Sequence, residues 1–247
     1  MLMLMLWSTP RSRSTAFYRM MTERGDFTAI HEPFSHLAIF GDAEVNGTPL
    51  VTTAAVIAEL RSLASARQVF IKETTDKRYP EVLADRRFLA ADAQHAFLIR
   101  HPREAIRSYL ALSPNARLHE FGFEAQYQLY LEVSRLSGRV PLVVDADDLM
   151  SRPTDTVKAY CAHAGIDFLP HALSWQPSSL PEWQRFRYWH ADAAASSGFA
   201  EVSRRRNPRA EQHPLLGSYV KYHLPFYQRL YERRVLVSSC SRLPLSR

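Results

Sequence analysis

Lysine is scarce in this chain: among 31 basic side chains, only Lys72, Lys77, Lys158 and Lys221 are lysines. Arginine supplies the rest. Codon bias accounts for an arginine excess at most surface positions, so position must decide which basic residues matter. Cysteine is scarcer still. Cys161 and Cys240 are the only two, which excludes a disulfide framework and fits a reducing compartment, so a cytoplasmic location is expected; Cys161 falls in a helical pattern and is expected to be a buried thiol. Long apolar runs are missing too. The opening MLMLMLW has no basic flank or small-residue cleavage site and is too short to cross a bilayer, so it reads as a first strand and no membrane role is expected. A net charge of +6 suits an anionic ligand but is modest for a nucleic-acid binder. No aromatic-interleaved basic repeat appears, so no nucleic-acid partner is expected. No internal repeat is evident.

At 46% apolar and 23% charged residues, the chain has the composition of an ordinary globular protein. Its 247 residues suffice for one large domain, expected over 1–235, with 236–247 a disordered tail. Short apolar runs at 1–7, 27–34, 67–74, 95–102 and 140–149 read as strands. Helical patterns follow: TAFYRMMTERG up to Gly25, then 50–65, 103–112, 117–137, 153–164 and 214–233. Strands that end in polar residues and alternate with helices predict an α/β fold, a three-layer sandwich around a mainly parallel five-stranded sheet, with ligands at the carboxyl ends of the strands. The proline-, tryptophan- and arginine-rich stretch 170–210 reads as a lid or cap.

The chemistry gathers at those strand ends. WSTPRSRST lies between the first strand and the first helix, where successive N–H groups and the helix dipole favour an anion. Arg11 offers charge, and Ser12, Ser14 and Thr15 offer hydroxyls, although serine and threonine before a helix also serve as plain N-caps. The second landmark is LIRHPREAIRSY, where Arg100 closes a strand and Ser108 lies eight residues later in the following helix.

The two landmarks together resemble the PAPS-dependent sulfotransferase family, whose donor is 3'-phosphoadenosine 5'-phosphosulfate and whose sheet is of the P-loop-NTPase type. The resemblance covers residues 1–165. It implies that Arg11, Ser12, Ser14 and Thr15 grip the 5' side of the donor, and Arg100 and Ser108 its 3'-phosphate. Arg13 stands where the family usually has glycine, and either narrows the loop or adds a cation. Ala16 replaces an aromatic that stacks on adenine in many relatives. WHADAAASSGF and SRRRNP resemble the segment that covers the nucleotide in bacterial members, which brings in Arg204, with a solvated basic run as the alternative for Arg204, Arg205 and Arg206.

Sulfuryl transfer by in-line displacement needs a base for the acceptor proton and a cation at the departing oxygen. Glu32, in AIHEPF, resembles the strand-end glutamate of carbohydrate and tyrosyl-protein sulfotransferases and is the expected base; the alternative is an ion pair with an arginine of the loop. Lys72 resembles the family lysine at the departing phosphate oxygen, and Thr74 replaces the histidine base of the small-molecule branch. His31 and His36 are acceptor contacts, alternative bases or structural residues. Phe121, Phe123, Tyr127 and Tyr130 line either the core or an acceptor pocket, and one of Trp175, Trp183 and Trp189 stacks on adenine or acceptor. The expected acceptor is a small molecule with a hydroxyl or amine, the expected assembly a monomer or homodimer, and no metal is expected. Two rivals remain. One is a magnesium-dependent, kinase-like P-loop enzyme using Asp145, Asp147 and Asp148, although the phosphate-loop lysine is absent; the other is a nucleotide-binding protein without turnover.

Overall fold

The computed structural model describes residues 1–199 and 208–236. The strands and helices run as β1 (Met3–Ser8), α1 (Ser14–Glu23), β2 (Thr28–His31), α2 (Pro33–Phe40), a hairpin of β3 (Ala43–Val45) and β4 (Thr48–Leu50), α3 (Thr53–Ala66) and β5 (Val69–Thr74), with α2 and the hairpin additional to the expected elements. Then come α4 (Pro80–Ala84), β6 (Gln94–Ile99), α5 (Pro102–Leu110), α6 (Phe123–Ser137), β7 (Leu142–Asp145), α7 (Ala146–Ser151), α8 (Pro153–Ala164), α9 (Arg187–Ala195), α10 (Pro208–Glu211) and α11 (Leu216–Tyr231).

β1 is apolar from Met3 to Trp7 because both its faces are covered, as a central parallel strand requires. It pairs in parallel with β5 on one side and β6 on the other. The sheet order is β2-β5-β1-β6-β7 and every pairing in it is parallel. One face is packed by α3, α5, α6 and α11 around Met5, Trp7, Ile71 and Phe97. The opposite face is packed by α1, α8 and the cap around Leu4, Leu6, Phe70 and Val144. The chain leaves β1 towards β5 and β2 and later returns to its other side through β6, so the ends of β1, β5 and β6 open a crevice, the usual ligand position in such sheets.

Several boundaries differ from expectation, and three of them have a clear local reason. The second strand stops at His31, because Pro33 occupies the first turn of α2, where its missing N–H costs nothing. The fifth strand stops at Asp145, whose carboxylate accepts from the N–H groups of Asp147 and Asp148 and so starts α7. The pattern over 117–137 divides at Gly122, at φ +73°, into a short 3₁₀ turn (Leu118–Phe121) and α6. No side chain fits at Gly122: a Cβ there would meet the Thr75 carbonyl carbon at 2.7 Å.

The cap expected over 170–210 is ordered in its described part. It consists of 3₁₀ turns at Pro170–Leu173 and Pro181–Phe186 followed by α9. Trp175 and Trp183 are buried and plug it into the second core layer. A bridge between Ser174 and Gly198 closes its base. Cys161 is a buried free thiol, as expected. Of the tail expected over 236–247, all but residue 236 lies outside the described residues.

Candidate active site

The carboxyl ends of β1, β2, β5 and β6 and the inner side of α9 enclose a cleft of about 1250 Å³. Arg11, Arg13, Ser14, Thr15, Glu32, Lys72, Arg100 and Ser108 all line it. Two other expected site residues stand apart: Ser12 is fully buried beneath the loop, its hydroxyl 2.5 Å from that of Thr9, and Arg204 lies outside the described residues. The fold thus brings together side chains from four strand ends.

The loop after β1 is held in an unusual conformation. Arg11 and Arg13 have φ values of +64° and +65°, a region that costs an L side chain energy and that glycine enters freely. This explains why Arg13 stands at a position where glycine is the easy choice. The Arg11 carbonyl accepts from the Arg100 guanidinium at 2.8 Å. The Arg11 side chain donates to the Ser108 hydroxyl at 3.0 Å, the Trp189 carbonyl at 2.6 Å and the Asp192 carboxylate at 3.1 Å. The two landmarks, 97 residues apart, therefore form one basic cluster, and α9 is fastened to it.

Arg100 is mostly buried. Burial and, after it, the repulsion of Arg13 bring its guanidinium down to about 10, and its Nε is buried without a hydrogen-bond partner among the described residues. A guanidinium so placed fits a phosphate, which would supply both the missing acceptor and the missing charge. Arg11, Arg13, Arg100 and Ser108 thus form a cationic wall of the cleft able to hold a phosphate.

Across the cleft, Glu32 caps α2 at φ +48°, and its N–H donates to the Lys72 carbonyl at 2.8 Å. The Lys72 ammonium donates to Glu32 Oε1 in a close buried contact. Burial pushes the Glu32 carboxyl up, but the charges of Lys72, His31 and His190 together outweigh it and hold the group well below the ordinary carboxylate range. Lys72, then, is the ion-pair partner of Glu32, in place of a loop arginine.

His31 is fully buried, and burial holds its imidazole well below its ordinary value. His190, on α9, sets its Nδ1 3.1 Å from the Thr15 hydroxyl, and its ring meets that of His31 edge-on at 4.9 Å. Burial brings it down to about 4. Beneath them Glu73 is buried and accepts from the N–H groups of Phe34 (2.8 Å), Ser35 (3.2 Å) and Thr74 (2.9 Å) and from the Ser35 hydroxyl at 2.7 Å. It anchors the first turn of α2, and so the peptide that carries Glu32.

The aromatic candidates divide. Phe121, Phe123 and Tyr130 are core, and Tyr127 packs against that core from the side. Of the cap tryptophans only Trp189 reaches the cleft, with its ring 4.9 Å from that of Tyr109. Asp145 is taken up as a helix cap and also receives the Tyr227 hydroxyl at 3.3 Å. The rival magnesium site loses its central residue to this structural role.

A family model described as a sulfotransferase domain matches residues 2–234. The chain belongs to the sulfotransferase family. Two curated relatives from Arabidopsis thaliana are the branched-chain-amino-acid aminotransferase-like proteins 2 and 1. The first is 24% identical over 78% of this chain, the second 27% over 82%. The matches take in 35% and 37% of those proteins, so the chain spans about a third of their length. Among solved structures, the sulfotransferase domain from the curacin biosynthetic pathway aligns with a TM-score of 0.50 at 13% identity, covering 96% of this chain and 94% of that one. A sulfotransferase from Alicyclobacillus acidocaldarius aligns at 0.53 and 12% identity, covering 94% and 96%. At these identities the likeness concerns the fold, and the sulfotransferase fold has the expected P-loop type of sheet.

Four residues of this sulfotransferase domain escaped the sequence reading: His190, Asp192, Glu73 and Asp76, a partly buried acid on the cleft wall. WHADAAASSGF contains the first two, and its likeness to a covering segment was the only signal. Glu73 adjoins Lys72, but alternation alone does not distinguish it from a solvent-facing residue.

Proposed function

We propose that this domain transfers a sulfuryl group from 3'-phosphoadenosine 5'-phosphosulfate to a hydroxyl or amine of a small-molecule acceptor. The observation that carries this reading is the convergence of Arg11, Arg100 and Ser108 at one end of a cleft that has Lys72 and Glu32 at the other. A donor that carries phosphates beside a reacting sulfuryl group needs such a cationic cluster together with a base and a cation at the reacting end. Arg11, Arg13, Arg100 and Ser108 hold the donor's phosphates, and Trp189, with Tyr188 and Phe186 on the same cleft wall, offers a ring for its base.

Lys72 moves its ammonium from Glu32 to the oxygen that departs with the 5'-phosphate as the S–O bond breaks. Glu32, relieved of that charge, gains proton affinity and takes the acceptor proton while the acceptor oxygen or nitrogen bonds to sulfur. The ion pair therefore makes Glu32 a weak base until the donor draws Lys72 away, which couples donor binding to acceptor activation.

Calorimetry with adenosine 3',5'-bisphosphate tests the seats, and sulfur-35 transfer over an acceptor panel tests turnover. We expect metal-independent binding, weakened by Arg100→Ala, and transfer lost in Glu32→Gln and Lys72→Ala. Binding with equal inertness of wild type and both variants would favour the non-catalytic reading, and a thermal shift with ADP and magnesium but none with the bisphosphate would favour the kinase-like one.

A further inference from the structure

The sequence HEPFSH places three metal-ligating side chains around the start of α2. His31 is the last residue of β2, Glu32 caps α2, and the His36 N–H donates to the Glu32 carbonyl at 2.9 Å. The four-residue spacing stacks Glu32 and His36 on one face of the helix, while His31 approaches from the strand. One ligand atom from each lies within 4.8 Å of the others, and all three residues are buried.

The hydrogen bonding of this cluster is incomplete in a way its role in sulfuryl transfer does not explain. Both ring nitrogens of His31 and Nε2 of His36 are buried without a hydrogen-bond partner among the described residues. Buried polar atoms are nearly always satisfied, and two adjacent imidazoles beside a carboxylate share one natural partner, a cation of borderline softness. The donor set, two nitrogens and one oxygen, suits zinc and its first-row neighbours and disfavours magnesium or calcium, which require oxygen ligands. Tetrahedral zinc sets its ligands about 3.3 Å apart, so small side-chain rotations close the cluster.

We propose that His31, Glu32 and His36 form a binding site for a divalent transition-metal ion of the zinc type, in competition with the Lys72–Glu32 ion pair. The competition follows from charge: the Lys72 ammonium sits on Glu32 Oε1, and a dication on either oxygen of the same carboxylate would stand within a few ångström of it in a buried setting, where repulsion between cations is strong. Resting on the proposed function in this one respect, an occupied site withholds Glu32 from the acceptor proton and leaves the basic seats for the nucleotide untouched.

The test uses the full chain, stripped of metal and free of nucleotide, titrated with Zn²⁺ against a chromophoric chelator and with Co²⁺ by visible absorption. We expect one ion per chain, with the intense visible bands of tetrahedral cobalt. His31→Asn and His36→Asn should each weaken binding by at least about tenfold, equivalent to 1.4 kcal/mol, and Lys72→Met should strengthen it. His163→Asn, at an exposed position, should leave it unchanged. Misfolding cannot give a loss in two variants and a gain in the third. Unchanged affinity in His31→Asn and His36→Asn, or no gain in Lys72→Met, overturns the proposal. Because nucleotide is absent, failure here is distinct from failure to bind the bisphosphate.

Discussion

At φ +65°, Arg13 holds a backbone conformation that costs an L side chain about 1–2 kcal/mol. Glycine would relieve that cost while losing about 0.5–1 kcal/mol through its more flexible unfolded chain. Arg13→Gly is therefore expected to stabilise the domain by up to about 1 kcal/mol in urea unfolding while weakening bisphosphate binding in calorimetry, which would mark the residue as retained for its charge. Glu73 is a second residue-scale case. Burial, followed by the nearby charge of Glu32, raises it from 4.5 to about 8. Between those values the folded chain holds a proton that the unfolded chain releases, so stability falls as pH rises from 4.5 towards 8. In Glu73→Gln that decline should flatten, as chemical denaturation at several pH values would show. Both residues were readable only in part: Arg13 stood out as a departure from a glycine, whereas nothing in the sequence revealed that Glu73 points inward at the start of α2.

Among the elements, α9 is fastened to the anion loop by the Arg11–Asp192 ion pair, whose side chains are 13% and 31% exposed. Asp192 presents to Arg11 the kind of oxygens a phosphate would bring. Asp192→Asn should tighten bisphosphate binding severalfold, in line with the 0.2–1 kcal/mol typical of a partly exposed pair, with a comparably small loss of stability. A weaker affinity in that variant would mean that Asp192 belongs to the nucleotide seat itself. Gly122 works on a different element, letting the turn before α6 lie directly on Thr75 and Asp76 at the end of β5. Gly122→Ala combines a left-handed φ with a backbone clash and should cost about 3 kcal/mol or more, seen as a lowered urea midpoint. The strands were legible because apolar runs ended in chemistry. The break at Gly122 was not, because the apolar spacing continues across it, and α2 was hidden because AIHEPF reads as uninterrupted strand until Pro33 is assigned to a helix start.

For the molecule as a whole, ligand linkage gives a direct check. At bisphosphate concentrations 100 times the dissociation constant, stabilisation of about 2.7 kcal/mol is expected, which for a domain of this size raises the melting temperature by roughly 5–10 °C. The shift should persist in EDTA. The sheet and its parallel sense were accessible from the sequence because its apolar runs end in polar residues at their carboxyl ends; the sequence assigned Arg11 to one end of the donor and Arg100 with Ser108 to the other, and the direct Arg11–Ser108 bond that joins them was not legible. Nor was the fastening of α9, because it depends on contacts spanning 178 and 181 residues, and no local pattern encodes a separation of that kind. The central place of β1 has a last consequence. Its amides are sheltered by neighbours on both edges and by packing on both faces, so they should be among the slowest in the domain to exchange with deuterium. A loop rooted in that backbone is firmly seated at its base, and the covering helix α9, held to it by side-chain contacts of Arg11, is the element expected to yield on entry of the proposed nucleotide.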